Sequence, residues 1–206
     1  MATLTRKPTA ERREEIVQAV LRIIGRQGLT SLTTSNLAKE VGVSTGAIFR
    51  HFATIDAILE QAVQYALEKI DATFPDATLP PLQRILELAR NRVQVIGADP
   101  GLAWMLRSEQ AYLTLPADAV RQLRQRVKRS KRYLLEAISE GAAQGDIRDD
   151  LAPEDLLVPI LGTIHALIGM PGVHSGAGAR HQPDSDRILK ALLTMLAPPQ
   201  TGRKRR

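Results

Sequence analysis

Residues 33–52 read TTSNLAKEVGVSTGAIFRHF, and their spacing predicts two short helices joined by a tight turn. Thr33 or Thr34 can cap the first helix, which carries Leu37, Ala38 and Val41 on one face. Gly42 ends it, as a residue free to take positive φ does. Ser44 caps a second helix running to His51, with Ile48 and Phe52 facing inward. Small Ala38 stands where the helices approach, and Leu37, Val41, Val43 and Ile48 lock them together. This is a helix-turn-helix pattern. It projects Ser44, Thr45, Gly46, Ala47, Phe49, Arg50 and His51 from the second helix toward a DNA major groove. Ser44, Thr45 and Arg50 can hydrogen-bond base edges, while Gly46 and Ala47 permit close approach or contact with thymine methyl groups. A helical hairpin inside a bundle shares the period, but it rarely crowds Arg, His, Thr and Ser onto one short helix.

Upstream, Thr9 can cap a first helix with Glu11 in its first turn and Ile16, Val20, Ile23 and Ile24 on one face. Gly28 stops it, and Leu29 with Leu32 forms an apolar corner before the motif. Downstream, Thr54 and Asp56 open a long fourth helix carrying Ile55, Leu59, Ala62, Ala66 and Ile70. Composition changes here, so the boundary falls near residues 53–55, with the fourth helix as connecting rod. Beyond Pro75, Pro80 and Pro81, periodicity predicts helices over 82–96, 100–113, 117–143, 153–169 and 185–196. Strand alternation and internal repeats are lacking. The expectation is an all-α chain of about nine helices: residues 1–53 a helix-turn-helix head, 54–197 a C-terminal body, 198–206 a disordered basic tail.

The chain has 206 residues, 44% hydrophobic but only 3% aromatic, so its core must be aliphatic and suited to helices. Lys and Arg number 28 against 22 acidic residues, a net +6 that favours an anionic partner. Residues 1–56 hold eight basic against five acidic residues, however, while residues 203–206 alone contribute +4. The charge therefore points to DNA less than the twenty residues of the motif do. Zero cysteines exclude disulfides, thiolate catalysis and Cys-ligated zinc. The segment Met1 to Arg13 lacks an apolar core, and the run from Leu156 to Met170 is broken by Pro159, Gly162, Thr163 and His165. A soluble cytoplasmic protein without a membrane segment is expected.

Other signals carry less. Gly42-Val43-Ser44-Thr45-Gly46 matches a nucleophile elbow, but that elbow needs a strand before the serine, where a helix is expected. No enzyme is expected. His165, His174 and His181 have no fixed ligand spacing, so neither metal nor cofactor is expected; His165 reads as core-facing or pocket-lining. Arg121, Arg124, Arg126, Lys128, Arg129, Lys131 and Arg132 read as a solvated helix face, with Val120, Leu123, Val127, Leu134 and Ile138 opposite. Part of that run could instead meet an anionic effector.

Residues 28–63, GLTSLTTSNLAKEVGVSTGAIFRHFATIDAILEQAV, resemble the DNA-binding head of the TetR family of transcriptional regulators. Residues 140–167, EGAAQGDIRDDLAPEDLLVPILGTIHAL, resemble that family's turn into its dimerisation helix. The resemblance implies a homodimeric, ligand-responsive repressor that binds a near-palindromic double-stranded operator. A DNA-associated architectural or division-linked protein with the same head and no small-molecule switch is the alternative. By the same resemblance Thr33 and Thr34 meet phosphate, Thr45 and Arg50 read bases, and His51 touches phosphate. Phe49 replaces a tyrosine, keeping its packing and losing a hydrogen bond, and Ile55 replaces a lysine. Arg6, Lys7, Arg12 and Arg13 are the groups available to compensate. The body of this family encloses a small-molecule site, for which the bulky Phe74, Trp104, Met105, Tyr112 and Tyr133, with His165, are the candidate lining. A lining poor in aromatics suits an aliphatic effector. Leu157, Leu161, Gly162, Leu189 and Leu193, on the last two helices, are the expected dimer face, with Gly162 and Ala166 permitting close approach. Effector binding is expected to tilt the fourth helix and alter the separation of the two heads.

Overall fold

The computed structural model describes residues 8–169 and 184–199. Among these, ten α-helices and one 3-10 turn form, and no strand. The groups expected at Arg6, Lys7, His174, His181 and residues 203–206 lie outside the described residues. No helix of the described residues is long and apolar enough to cross a membrane.

The chain packs as two compact units. The first comprises the described residues up to Asp71 together with Asp99–Gln125; the second comprises Ala72–Ala98 and the described residues from Arg126 onward. As units of packing they are cut elsewhere than the composition change at 53–55, because α4 (Ile55–Asp71) and α6 (Pro100–Arg107) both pack on α1 (Thr9–Gln27).

In the first unit α1 is central, burying Ile16, Val17, Ala19, Val20, Leu21, Ile23 and Ile24. Pro8, not Thr9, holds its N-cap position, and no side chain caps it. Its far end approaches α6 through two glycines: a Cβ on Gly25 would lie 2.7 Å from the Gly101 nitrogen. Asp99 caps α6 by accepting from the Gly101 and Leu102 N–H groups at 2.8 and 3.1 Å. The single helix expected over 100–113 is two, α6 and α7 (Glu109–Thr114). Ser108 between them is extended, closing α6 through its N–H on the Trp104 carbonyl at 2.9 Å and opening α7 by accepting from Ala111 at 3.1 Å. Serine, a poor helix interior residue that serves well at ends, makes the break local.

In the second unit α5 (Pro81–Gly97) packs on α9 (Pro153–Gly169) and α10 (Ser185–Leu196), and those two pack on each other. The long α8 (Ala117–Gln144), which belongs to this unit from Arg126 onward, ends at Gly145, whose φ of 81° turns the chain. Gly141 holds that turn close: a Cβ there would meet Ile147 Cδ1 at 2.6 Å. Within α10, Leu189, Leu192 and Leu196 are buried, as its stripe predicts.

Candidate nucleic-acid interface

The motif folds as two helices, α2 (Thr34–Val41) and a short α3 (Thr45–Phe49). Thr33 caps α2, its Oγ1 accepting from the Asn36 N–H at 3.1 Å. At the turn Gly42 is left-handed, φ 75° and ψ 35°. Its N–H bonds the Lys39 carbonyl at 3.2 Å, and the Val43 N–H reaches back to the Ala38 carbonyl at 2.9 Å. This pair of bonds is the Schellman arrangement that fixes how a chain leaves a helix. Ser44 then caps α3 through Oγ, accepting from the Ala47 N–H at 3.3 Å. A helix and a turn precede Ser44, where a nucleophile elbow would need a strand.

Inward, Leu37 and Ile48 are fully buried and Phe52 nearly so, while Val41 and Val43 are half-buried. The Arg13 guanidinium stacks 4.4 Å above the Phe52 ring and its Nη2 donates to Gln61 at 3.4 Å, clamping α1, the segment that follows α3, and α4. Arg12 pairs with Glu15 at 2.8 Å. Both arginines are thus held by the protein itself. Arg22 reaches Glu40 at 2.7 Å and ties α1 to α2; its hydrogen bond to the Glu40 carboxylate holds that carboxyl below the usual range.

Outward, Thr33, Ser44, Thr45, Gly46 and Arg50 are exposed, and Thr34, Ala47 and His51 are half-buried. Among the described residues nothing bonds the Arg50 side chain. His51 buries its Nδ1 without a hydrogen-bond partner among those residues. Phe49 is 45% exposed on the surface of α3. A cleft of about 670 Å³ opens beside α1 and the turn, but Glu11, Glu14 and Glu40 rim it and oppose phosphate.

The six residues expected to line an effector pocket divide between the units. Trp104, Met105 and Tyr112 belong to the first, with Met105 fully buried and the other two half-buried. Phe74, Tyr133 and His165 belong to the second. There Phe74 and Tyr133 meet edge to face, centroids 5.2 Å apart. His165 does not join them; it is exposed on α9, in line with Val158 and Gly162, rather than core-facing.

Sequence reasoning missed the polar groups around that ring pair. Arg92, 7% exposed, donates from Nη2 to Ser130 Oγ at 2.6 Å and from Nε toward Thr73 Oγ1 at 3.5 Å. Its guanidinium lies 5.4 Å from the Phe74 centroid, and that of Arg129 lies 4.5 Å from it. Burial pulls the Arg92 pKa down to about 10. Arg84 is also buried and pairs with Glu140. The signal was present: Arg92 falls on the apolar stripe of Ile85, Leu88, Ala89 and Ile96, where a charge is out of pattern. Val127, expected on the inner stripe of α8, is 41% exposed; the inner line passes instead through Ser130.

Of the expected dimer face, Leu157 and Leu189 are buried within the unit, Leu161 and Leu193 are half-buried, and Gly162 is exposed with open space where a Cβ would stand. Val158, 70% exposed, and Met195, 63% exposed, are apolar surface on the same two helices.

An exposed helix after a Schellman-fixed turn, in a chain whose described residues form helices and no strand, is a helix-turn-helix architecture. Residues 16–62 match bacterial regulatory proteins of the tetR family. Over 138 residues the chain is 30% identical to the nucleoid occlusion factor SlmA of Vibrio atlanticus, covering 64% of this chain and 69% of that protein. It is 32% identical over 81 residues to the HTH-type transcriptional regulator PksA of Bacillus subtilis, covering 38% and 40%. With PksA, and with the SlmA of Vibrio cholerae, where 66% is covered, the match spans less than two thirds of the relative. The fold is similar to that of AibR, solved with isovaleryl coenzyme A and operator DNA, with a TM-score of 0.73, 16% identity and coverage of 92% and 100%. The chain belongs to the TetR family of DNA-binding transcription regulators.

Proposed function

We propose that the protein is a cytoplasmic, homodimeric, ligand-responsive repressor without enzymatic activity. The observation that carries this reading is the exposed, unbonded Arg50 beside Thr45 on a helix whose entry is fixed by Gly42 and Ser44. Arg50 and Thr45 read base edges in the major groove. The hydroxyls of Thr33 and Ser44 accept from their own helices and keep an O–H to donate to DNA. With Nδ1 turned inward, His51 offers its Nε2 edge to phosphate, and exposed Phe49 offers apolar contact to sugar or thymine methyl. Residues 1–53 make the DNA-binding domain and 54–197 the effector-binding and dimerisation domain. Val158, Gly162 and Met195 extend the dimer face, and two heads address successive major grooves of a near-palindromic operator. Effector and operator binding are reciprocally coupled.

A second reading is favoured by the likeness to nucleoid occlusion factors: a DNA-associated protein with the same head and no small-molecule switch. Genome-wide footprinting separates the two. Few, promoter-proximal sites fit the repressor, and many dispersed sites fit the alternative.

A further inference from the structure

We propose that the outer face of α8 is a second, sequence-independent DNA contact, one that meets the sugar-phosphate backbone of a duplex outside the helix-turn-helix motif. The inference goes beyond the repressor reading and holds for either function proposed above. Residues 119–135 contain seven basic residues and no acidic one. Two of the seven are drawn toward the body: Arg126 is half-buried, and Arg129 stacks on the Phe74 ring. The other five, Arg121, Arg124, Lys128, Lys131 and Arg132, are exposed. Steps of three and four along one continuous helix set them on one side, in a stripe about 16 Å long. Lys128, Lys131 and Arg132 belong to the second unit, and the test below rests on that part of the stripe.

Helix stability does not account for this placement. Like charges three or four residues apart repel, and the last turn of α8, where the helix dipole favours a cation, has none. Elsewhere the protein pairs its arginines: Arg22 with Glu40, Arg84 with Glu140, Arg90 with Asp186 and Arg148 with Asp150. Within the stripe only the two ends have acids, Asp118 at 2.6 Å from Arg121 and Glu136 at 3.8 Å from Arg132, and both pairs stand in water. Among the described residues no hydrogen bond or ion pair engages Arg124, Lys128 or Lys131. A convex row of unpaired cations matches a linear array of phosphates, which a duplex presents at one charge per about 1.7 Å of its axis. Gln125, exposed among them, can hydrogen-bond a phosphate oxygen. A helix lying on a membrane carries bulky apolar residues beside its cations, whereas the exposed one within residues 121–132 is Val127, at 41%. The chain belongs to a family of DNA-binding regulators, so a duplex is the polyanion at hand.

The test is fluorescence anisotropy of the full chain on a random-sequence duplex, in sodium chloride from about 50 to about 200 mM. Lys128→Gln with Lys131→Gln removes two phosphate partners, so the slope of log affinity against log salt should fall by about 1.8 per bound protomer, and affinity at the lower salt by about tenfold or more. Arg187→Gln with Lys190→Gln removes as much charge from exposed positions of α10 and should leave slope and affinity almost unaltered. Arg50→Ala should keep the salt-dependent affinity for the random duplex. The phosphates can come from the flank of the duplex held by the motif or from a second duplex. A loss in the α8 variant of the affinity gained on lengthening the duplex assigns the flank; a loss of co-capture of two differently labelled short duplexes assigns the second. The proposal is overturned if the α8 and α10 variants lose affinity equally, if the α8 variant keeps the wild-type salt slope, or if it loses binding to polyglutamate or to phosphatidylserine vesicles and not to the random duplex. Salt-dependent binding through α8 in a protein that enriches no DNA sequence would sink base reading by Arg50 and leave the α8 contact standing.

Discussion

Gly101 lies against Leu21 so closely that a Cβ at position 101 would overlap the Leu21 carbonyl. This approach is backbone on backbone, α6 against α1, and neither side can relieve it by turning a side chain. The central helix of the DNA-binding head is thereby fixed by a segment far along the chain. Gly101→Ala is expected to destabilise the protein by about 2–4 kcal/mol. Urea unfolding measures it, and an unchanged midpoint would show that α6 does not bear on α1 in solution.

Gly162 gives the opposite expectation. A Cβ there meets nothing within the protomer, so Gly162→Ala should stabilise α9 by about 0.5–1 kcal/mol in the isolated chain. If Gly162 lies at the dimer contact, the same change weakens dimerisation. Sedimentation of dilute samples reads this directly, and unaltered or tighter association would remove Gly162 from that contact.

The Arg22 bond to Glu40 sets a pH dependence. The folded carboxyl titrates below its unfolded value of 4.5, so its contribution is complete above that value and is lost as pH falls through the lower folded pKa. Glu40→Gln should remove that part of the acid-induced loss of stability while leaving the neutral range flat. Thermal unfolding between pH 3 and 7 checks it; identical acid limbs in the two proteins would contradict the pairing.

Capping at Ser44 is both structural and positional. Ser44→Ala loses the bond from the Ala47 N–H, costing about 1 kcal/mol of stability, and also loosens the orientation of α3. DNA affinity should fall even at temperatures where the variant is fully folded. Unaltered affinity there would show that the cap does not aim the helix.

Arg92 makes the reverse trade. Its folded pKa, about 10, lies below the ordinary value of an arginine, so the burial penalty is fully present at neutral pH and lessens only as pH rises through 10. Replacing it by Met, similar in length and uncharged, should leave the thermal midpoint unchanged or raise stability by about 1–4 kcal/mol. A steep loss of stability would mark Arg92 as a structural residue.

Most of the architecture could be read in the sequence because each helix carries local punctuation. Pro153 with its acidic first turn and Asp184 ahead of the leucine stripe place α9 and α10 over the expected residues. Gly42 and Ser44 do the same for the motif, where turn chemistry and apolar spacing agree. The break at Ser108 was hidden because the polar run of residues 107–110 reads as the outer side of one continuous helix, and a single extended residue separates α6 from α7. The grouping of α4 and α6 around α1 was equally hidden, since it depends on Gly25 and Gly101 meeting across long sequence separation. Side-chain bulk did not tell where the candidate pocket residues sit: Phe74 and Tyr133 meet edge to face while His165 is exposed, and the charge lodged on the apolar stripe of α5 passed unnoticed.

The most direct test is to select bound duplexes from random DNA and then measure wild type and Arg50→Ala on the recovered sequence and on a shuffled duplex of equal length. Recovery of a near-palindrome is expected, with Arg50→Ala weakening binding to it by about 1–3 kcal/mol and leaving binding to the shuffled duplex almost unaltered. Failure to enrich any sequence, or an equal loss on both duplexes, would contradict base reading by Arg50.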